Sequence, residues 1–189
     1  MKNIILMTLG LSILFIGCSS QPKPNAFPGA PKWFTKRPQD DKVWYGVGTS
    51  LRPQTTLAEK VAVNRAQQAI ATQLETNINE ILDDVMEASG LGLTAEVIEY
   101  NKSVGTTVKQ QALKYCKIEK TDWGRDGRCY VLVSYDVNGA RKMAIKQAEQ
   151  ELIKYQNLKS ELKGKEYLAE LDERLQKLAG QTLLNNKQD

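Results

Sequence analysis

Val43-Trp44-Tyr45-Gly46-Val47-Gly48 is dense in β-branched and aromatic residues and predicts a strand. Downstream, Thr56-Leu57-Ala58-Glu59 reads as a capping box, in which the threonine hydroxyl and the glutamate each serve an unpaired amide. It predicts a long helix to about Ala88. Two apolar stripes run along that helix at helical spacing. One holds Ala58, Ala62, Ala66 and Ala69; the other holds Val61, Ile70, Leu74, Ile78, Ile81 and Val85. The small stripe permits close approach to a sheet, and the larger one fills the core beyond it. Gly46 and Gly48 fit the same contact from the strand side. A phosphate-binding loop would need a third glycine where Leu51 stands. Ser89-Gly90-Leu91-Gly92 breaks the helix, Thr94 to Tyr100 predicts another turn or two, and Asn101 to Thr107 reads as loop.

Leu113 to Asp122 and Arg128 to Val137 predict two strands around the turn Gly124-Arg125-Asp126-Gly127. Cys129, Val131, Val133 and Tyr135 share one face of the second strand, and Cys116 and Ile118 join it from the first. A turn at Arg125-Asp126 sets Cys129 opposite Asp122 and Cys116 opposite Tyr135. The thiols then lie about 20 Å apart at strand rise, whereas a bridge needs α-carbons within about 7 Å. Buried free thiols are therefore expected; a loop centred on Asp122-Trp123 would instead bring them together.

After Asn138-Gly139 a long amphipathic helix is expected from about Ala140. Ala144, Ala148, Leu152, Tyr155, Leu158 and Leu162 follow helical spacing, and past Gly164 the pattern resumes with Leu168, Leu171, Leu175 and Leu178. Forty residues of straight helix measure roughly 60 Å, more than one small sheet covers. The distal leucines are accordingly expected to form an oligomer interface or a coiled-coil seam. A solvated tail, a membrane-surface helix, and a hairpin folding back at Gly164 are the other arrangements this spacing permits.

The amino terminus has a different pattern. Lys2 precedes an apolar run from Ile4 to Gly17, and Cys18 follows. Fourteen residues make a helix of roughly 21 Å, short of a hydrocarbon core of about 30 Å. The run reads as an export signal. Phe15-Ile16-Gly17-Cys18 resembles a lipobox, which implies cleavage before Cys18 and lipid attachment to its sulfur; a plain signal peptide with a chance cysteine is the alternative. Each buried acyl methylene contributes about 0.8 kcal/mol, so several chains anchor firmly. In bacterial lipoproteins that this segment resembles, aspartate after the cysteine favours inner-membrane retention, and Ser19 here points to the outer membrane. Residues 18–41 hold Pro22, Pro24, Pro28, Pro31 and Pro38 and read as a tether. Within it, Trp33-Phe34 reads as a strap docked on the domain edge, or as an aromatic patch for a partner.

Composition removes chemistry. The chain contains no histidine, which takes away the usual general base near neutral pH and the commonest metal ligand. Asp40-Asp41 and Asp83-Asp84 are adjacent carboxylates, and on a helix neighbours point about 100° apart, so no paired acid and base is expected. No catalytic residue, metal or soluble cofactor is assigned, and the expectation is that the chain is not an enzyme. Signal cleavage removes Lys2 and lowers the net charge from +4 to +3. With no basic stripe, nucleic acid is not an expected partner.

The domain expected is α+β, a small antiparallel sheet packed by a long helix. Its segments are signal 1–17, tether 18–41, domain 42–146 and helical extension 147–189. Pro31-Lys32-Trp33, Trp44-Tyr45-Gly46-Val47-Gly48, the alanine-stepped helix and Arg128-Cys129-Tyr130-Val131-Leu132-Val133 together resemble the twenty-kilodalton LPP lipoprotein family, which includes FlgP-like flagellar outer-membrane lipoproteins. The resemblance spans about Lys32 to Lys146. It implies an exported, lipid-anchored domain with a structural or assembly role, as a homo-oligomer or with an envelope protein partner. A periplasmic binding module for a cell-envelope ligand is the other class in play.

Overall fold

Seven of the eight residues of strand β3 (Cys129–Asp136) are buried, which makes it the centre of the sheet. It lies between β1 (Val43–Ser50) and β2 (Lys117–Trp123), antiparallel to both. The protein is α+β, as its sequence predicts. The computed structural model describes residues 27, 29–40, 42–155, 158, 160, 162 and 165–185, with backbone alone for 165 and 178–185.

Helix α2 (Thr55–Ala88) covers one face of the sheet. Trp44, Gly46, Gly48 and Ser50 point toward it. The two glycines are required there: a β-carbon on Gly46 would strike the Ala66 carbonyl oxygen, and one on Gly48 would strike the Ala62 carbonyl oxygen and sit 2.6 Å from the Ala66 amide nitrogen. Ala58, Ala62 and Ala66 are fully buried in that contact, with Ile70, Leu74, Ile78 and Val85 beyond. Ala69, expected in the small stripe, is exposed, and Ala71 is buried instead. The capping box does not form. The helix begins at Thr55 with Gln54 as an uncapped N-terminal residue, so Thr56 lies inside the first turn.

Helix α3 (Ala95–Tyr115) replaces both the loop expected over Asn101–Thr107 and the start of the strand expected at Leu113. Val97, Tyr100, Val104, Val108 and Ala112 form its buried stripe. A polar edge sets its register on α2: Lys109 pairs with Glu75 at 2.7 Å and the Asn101 amide donates to Asp83 at 2.6 Å. A β-carbon on Gly105 would strike the Asn79 side chain, so the glycine that argues for a loop permits a helix contact.

The hairpin forms at the expected turn, with Gly127 at φ 78° and its amide bonded to the Gly124 carbonyl at 3.0 Å. The pairing near the turn is offset by one residue from expectation: Cys129 opposes Trp123, not Asp122. A bulge at Glu119 restores the expected pairing, so Ile118 opposes Val133. Ile118 does not join the core; it is 54% exposed on a strand that α2 does not cover.

Helix α4 (Val137–Leu152) starts directly from β3, its amides at Asn138 and Gly139 capped by Asp136. It ends at Leu152, with Ile153 and Lys154 in a turn. Helix α5 (Lys165–Asn185) returns to pack on α4 and α2. One continuous forty-residue helix is therefore corrected: α4 stops at Leu152, and α5 is a separate helix. The expected boundary at 146 falls inside α4, and Tyr167, Leu171 and Leu175 of α5 share the core with α2 and α4.

Candidate functional site

The tether's aromatic segment is a docked strap. Helix α1 (Lys32–Thr35) is a single turn laid over β3 on the face opposite α2. Phe34 packs edge-on against Tyr130 with ring centroids 4.8 Å apart, and Phe27 packs edge-on against Phe34 at 5.3 Å. Trp33 donates its indole N–H to Asp122 at 2.7 Å. The Arg128 guanidinium stands over the Phe27 ring, 6.0 Å from its centre. The strap covers Tyr130 on the side of β3 away from α2, the side on which buried Leu132 and Ser134 also lie; Ser134 donates there to Glu119 of β2 at 2.6 Å. It also fixes where the chain leaves the domain toward its amino terminus, beside the β2–β3 turn. Cys18 itself, and the signal before it, lie outside the described residues.

The leucine seam is internal. Leu171 and Leu175 are 1% and 2% exposed within a single chain, and Leu168 packs against the same core. The Leu178 side chain lies outside the described residues. Residues expected to pair chains thus bury themselves against α2 and α4, the arrangement of a helix folded back on its own fold. Gly164, where that fold-back was expected, lies outside the described residues. A polar lock accompanies the seam. Tyr100 and Tyr167 share a hydroxyl–hydroxyl hydrogen bond of 3.0 Å, and the Tyr100 hydroxyl donates to the Ala148 carbonyl at 3.0 Å. Burial pushes both phenols well above their ordinary pKa of 10. Arg141 holds Asp172 with two bonds of 2.6 and 3.0 Å.

Where α2 and α5 meet, an open groove of about 480 Å³ is lined by Asn77, Glu80, Ile81, Asp84, Glu170, Glu173, Arg174 and Lys177. Both of its basic side chains are paired within it: Arg174 reaches Glu170 at 2.8 Å and Asp84 at 3.6 Å, and Lys177 reaches Glu173 at 2.7 Å; its acidic residues outnumber them four to two. The adjacent carboxylates Asp83 and Asp84 diverge as helical geometry requires, one toward Asn101 and the other toward Arg174. Among the described residues, no group of three or more cysteine or acidic side chains is placed to hold a metal ion.

Glu151 is a charged group that sequence reasoning missed. It is only 4% exposed. Burial raises its pKa, but hydrogen bonds from Lys154, Ser103 and Gln147 outweigh burial and hold the carboxyl below its ordinary range. These bonds close the carboxy-terminal end of α4. Cys116 and Cys129 are both free thiols. Cys129 is buried; Cys116 is half-buried, and burial pushes its pKa up to about 11.

Among the described residues, no helix is long and apolar enough to cross a membrane. Comparison with protein-family models, with curated proteins and with solved structures found no match.

Proposed function

We propose that this chain is a lipoprotein held in the outer membrane through a lipid on Cys18, its α+β domain facing the periplasm in a structural or assembly role of the FlgP-like kind. The observation that carries this reading is the apolar run from Ile4 to Gly17 ending at Cys18, followed by a proline-rich segment whose Phe27, Trp33 and Phe34 clamp onto the sheet. A docked strap transmits the position of a membrane anchor to the domain, where a loose tether would not. Assembly does not rest on the leucine seam, since Leu171 and Leu175 are buried within the chain; it needs another surface. Replacement of Cys18 by alanine is expected to release the protein from the outer-membrane fraction, and labelled palmitate is expected to enter the wild type alone. Full retention of Cys18→Ala, with no label in the wild type, would overturn the proposal. A second reading, a binding module for a cell-envelope ligand, draws support from the open α2–α5 groove.

A further inference from the structure

Of the nine large apolar side chains exposed among the described residues, four share one end of the domain, and Leu93, Ile98, Tyr115, Ile118 and Ile153 lie elsewhere. Phe27, Leu51, Leu57 and Trp123 are 38%, 51%, 44% and 43% exposed, and the topology brings all four to one end of the domain. Ser50 and Trp123 flank Cys129 in the sheet register, which puts the ends of β1 and β2 side by side at the start of β3. Leu51 follows Ser50 directly, and Leu57 sits in the first turn of α2 just beyond it. Phe27 lies under Arg128 at the same end. Arg52 and Arg125 are exposed among them; of the acidic residues at this end, Asp126 is bonded to Arg128 and Asp122 accepts from Trp33, and Glu59 is exposed.

A second exposed pair, Leu93 and Ile98, lies beyond the far end of α2. That helix has 34 residues, so the two ends stand roughly 50 Å apart. Chain length discriminates between them. Eight residues separate Cys18 from Phe27, and fully extended they span only about 30 Å. A lipid on Cys18 therefore keeps the end bearing Phe27 close to the bilayer, whereas Leu93 and Ile98 approach it only where α2 lies flat along the surface. Apolar and aromatic side chains interleaved with arginine suit the headgroup boundary, where an indole ring takes an apolar and a wet neighbour together.

We propose that the turn end of the sheet, formed by Phe27, Leu51, Leu57 and Trp123 with Arg52 and Arg125, is a membrane-contact surface that seats the domain on an anionic lipid bilayer. The orientation argument rests on lipid attachment at Cys18, and the test separates the two claims. The full protein, purified from membranes, is placed in vesicles of equal parts phosphatidylethanolamine and phosphatidylglycerol carrying brominated acyl chains, and tryptophan quenching is read. Of the three tryptophans, Trp44 is buried in the core and Trp33 is tied to Asp122, so Trp123 is the one expected to meet lipid. Quenching is expected in the wild type, lost in Trp123→Phe, and reduced in Leu51→Asp, with circular dichroism unchanged in both. Equal quenching in wild type and Trp123→Phe, or none in either, overturns the surface. So does a Trp123 shielded by self-association, seen as concentration-dependent sedimentation that Leu51→Asp abolishes. Intact mass of the same sample reports the lipid. An unlipidated chain whose Trp123 is quenched retains the surface and defeats the anchor; a lipidated chain without quenching does the reverse.

Discussion

Leu171 offers the sharpest test of the fold-back, because its two readings differ in kind. As an interface residue it would matter only to assembly. In the structure it is 1% exposed, packed within the single core that also holds Ile70, Leu74 and Leu152. Truncation to alanine removes three buried heavy atoms and leaves a cavity between α5 and its neighbours. Such changes cost about 2–5 kcal/mol, the larger values where the surroundings cannot collapse. Here Tyr167, one turn away, is pinned by its bond to Tyr100, and Arg141 fixes Asp172 from α4, so α5 has little freedom to close the gap. A loss of about 3 kcal/mol divided by a urea slope of roughly 2 kcal/mol per molar gives a midpoint shift near 1.5 M. Urea unfolding followed by circular dichroism, with sedimentation velocity on the same samples, measures both quantities. Leu175→Ala is expected to behave alike, and the double variant to fall short of additivity because the two side chains share one cavity. An unchanged midpoint, or an oligomer that dissociates while each chain keeps its stability, would refute the internal seam.

Further outcomes follow from the same packing. Gly48→Ala sets a β-carbon against the α2 backbone and should destabilise by at least the ~1–3 kcal/mol of core overpacking, as should Ala66→Leu; an unchanged melting temperature for both would detach α2 from the sheet. Glu151 has a lowered folded-state pKa, so its contribution is complete above its ordinary value of 4.5 and is lost as pH falls through the folded value. Glu151→Gln should therefore flatten the acid limb of the stability curve, and an identical acid limb in the variant would contradict the network around it. Thiol labelling of the native protein should reach half-buried Cys116 before buried Cys129, with both reacting after unfolding without reductant; no reactive thiol then would mean a disulfide.

The parts of this fold legible in the sequence are those governed by neighbours along the chain. The Val43 strand, the turn at Gly124–Gly127 and the alanine face of α2 each carry a local signal. Paired glycines opposite an alanine stripe even identified which surfaces touch. The rest depended on tertiary context. Asn101-Lys102-Ser103-Val104-Gly105-Thr106-Thr107 has weak helix propensity, yet α3 forms because Val97, Tyr100, Val104, Val108 and Ala112 bury one stripe against the core. That four-residue spacing was available as a signal, and Gly105 masked it. The leucine seam was legible as an apolar face, but spacing does not say whose surface covers it. Only the turn after Leu152 and the return of α5 onto α2 and α4 decide that the cover is the same chain. For the surface at the turn end, no local pattern links Phe27, Leu51 and Trp123; the sheet register assembles them.

The account's central claim is the anchor, and intact-mass spectrometry of the protein recovered from the membranes of a double-membraned bacterial host tests it most directly. The mass expected is that of a chain beginning at Cys18, lacking the seventeen residues before it, plus the increments of thioether-linked diacylglycerol and an amino-terminal acyl chain. A chain beginning at any other residue, or beginning at Cys18 without added lipid, would contradict it.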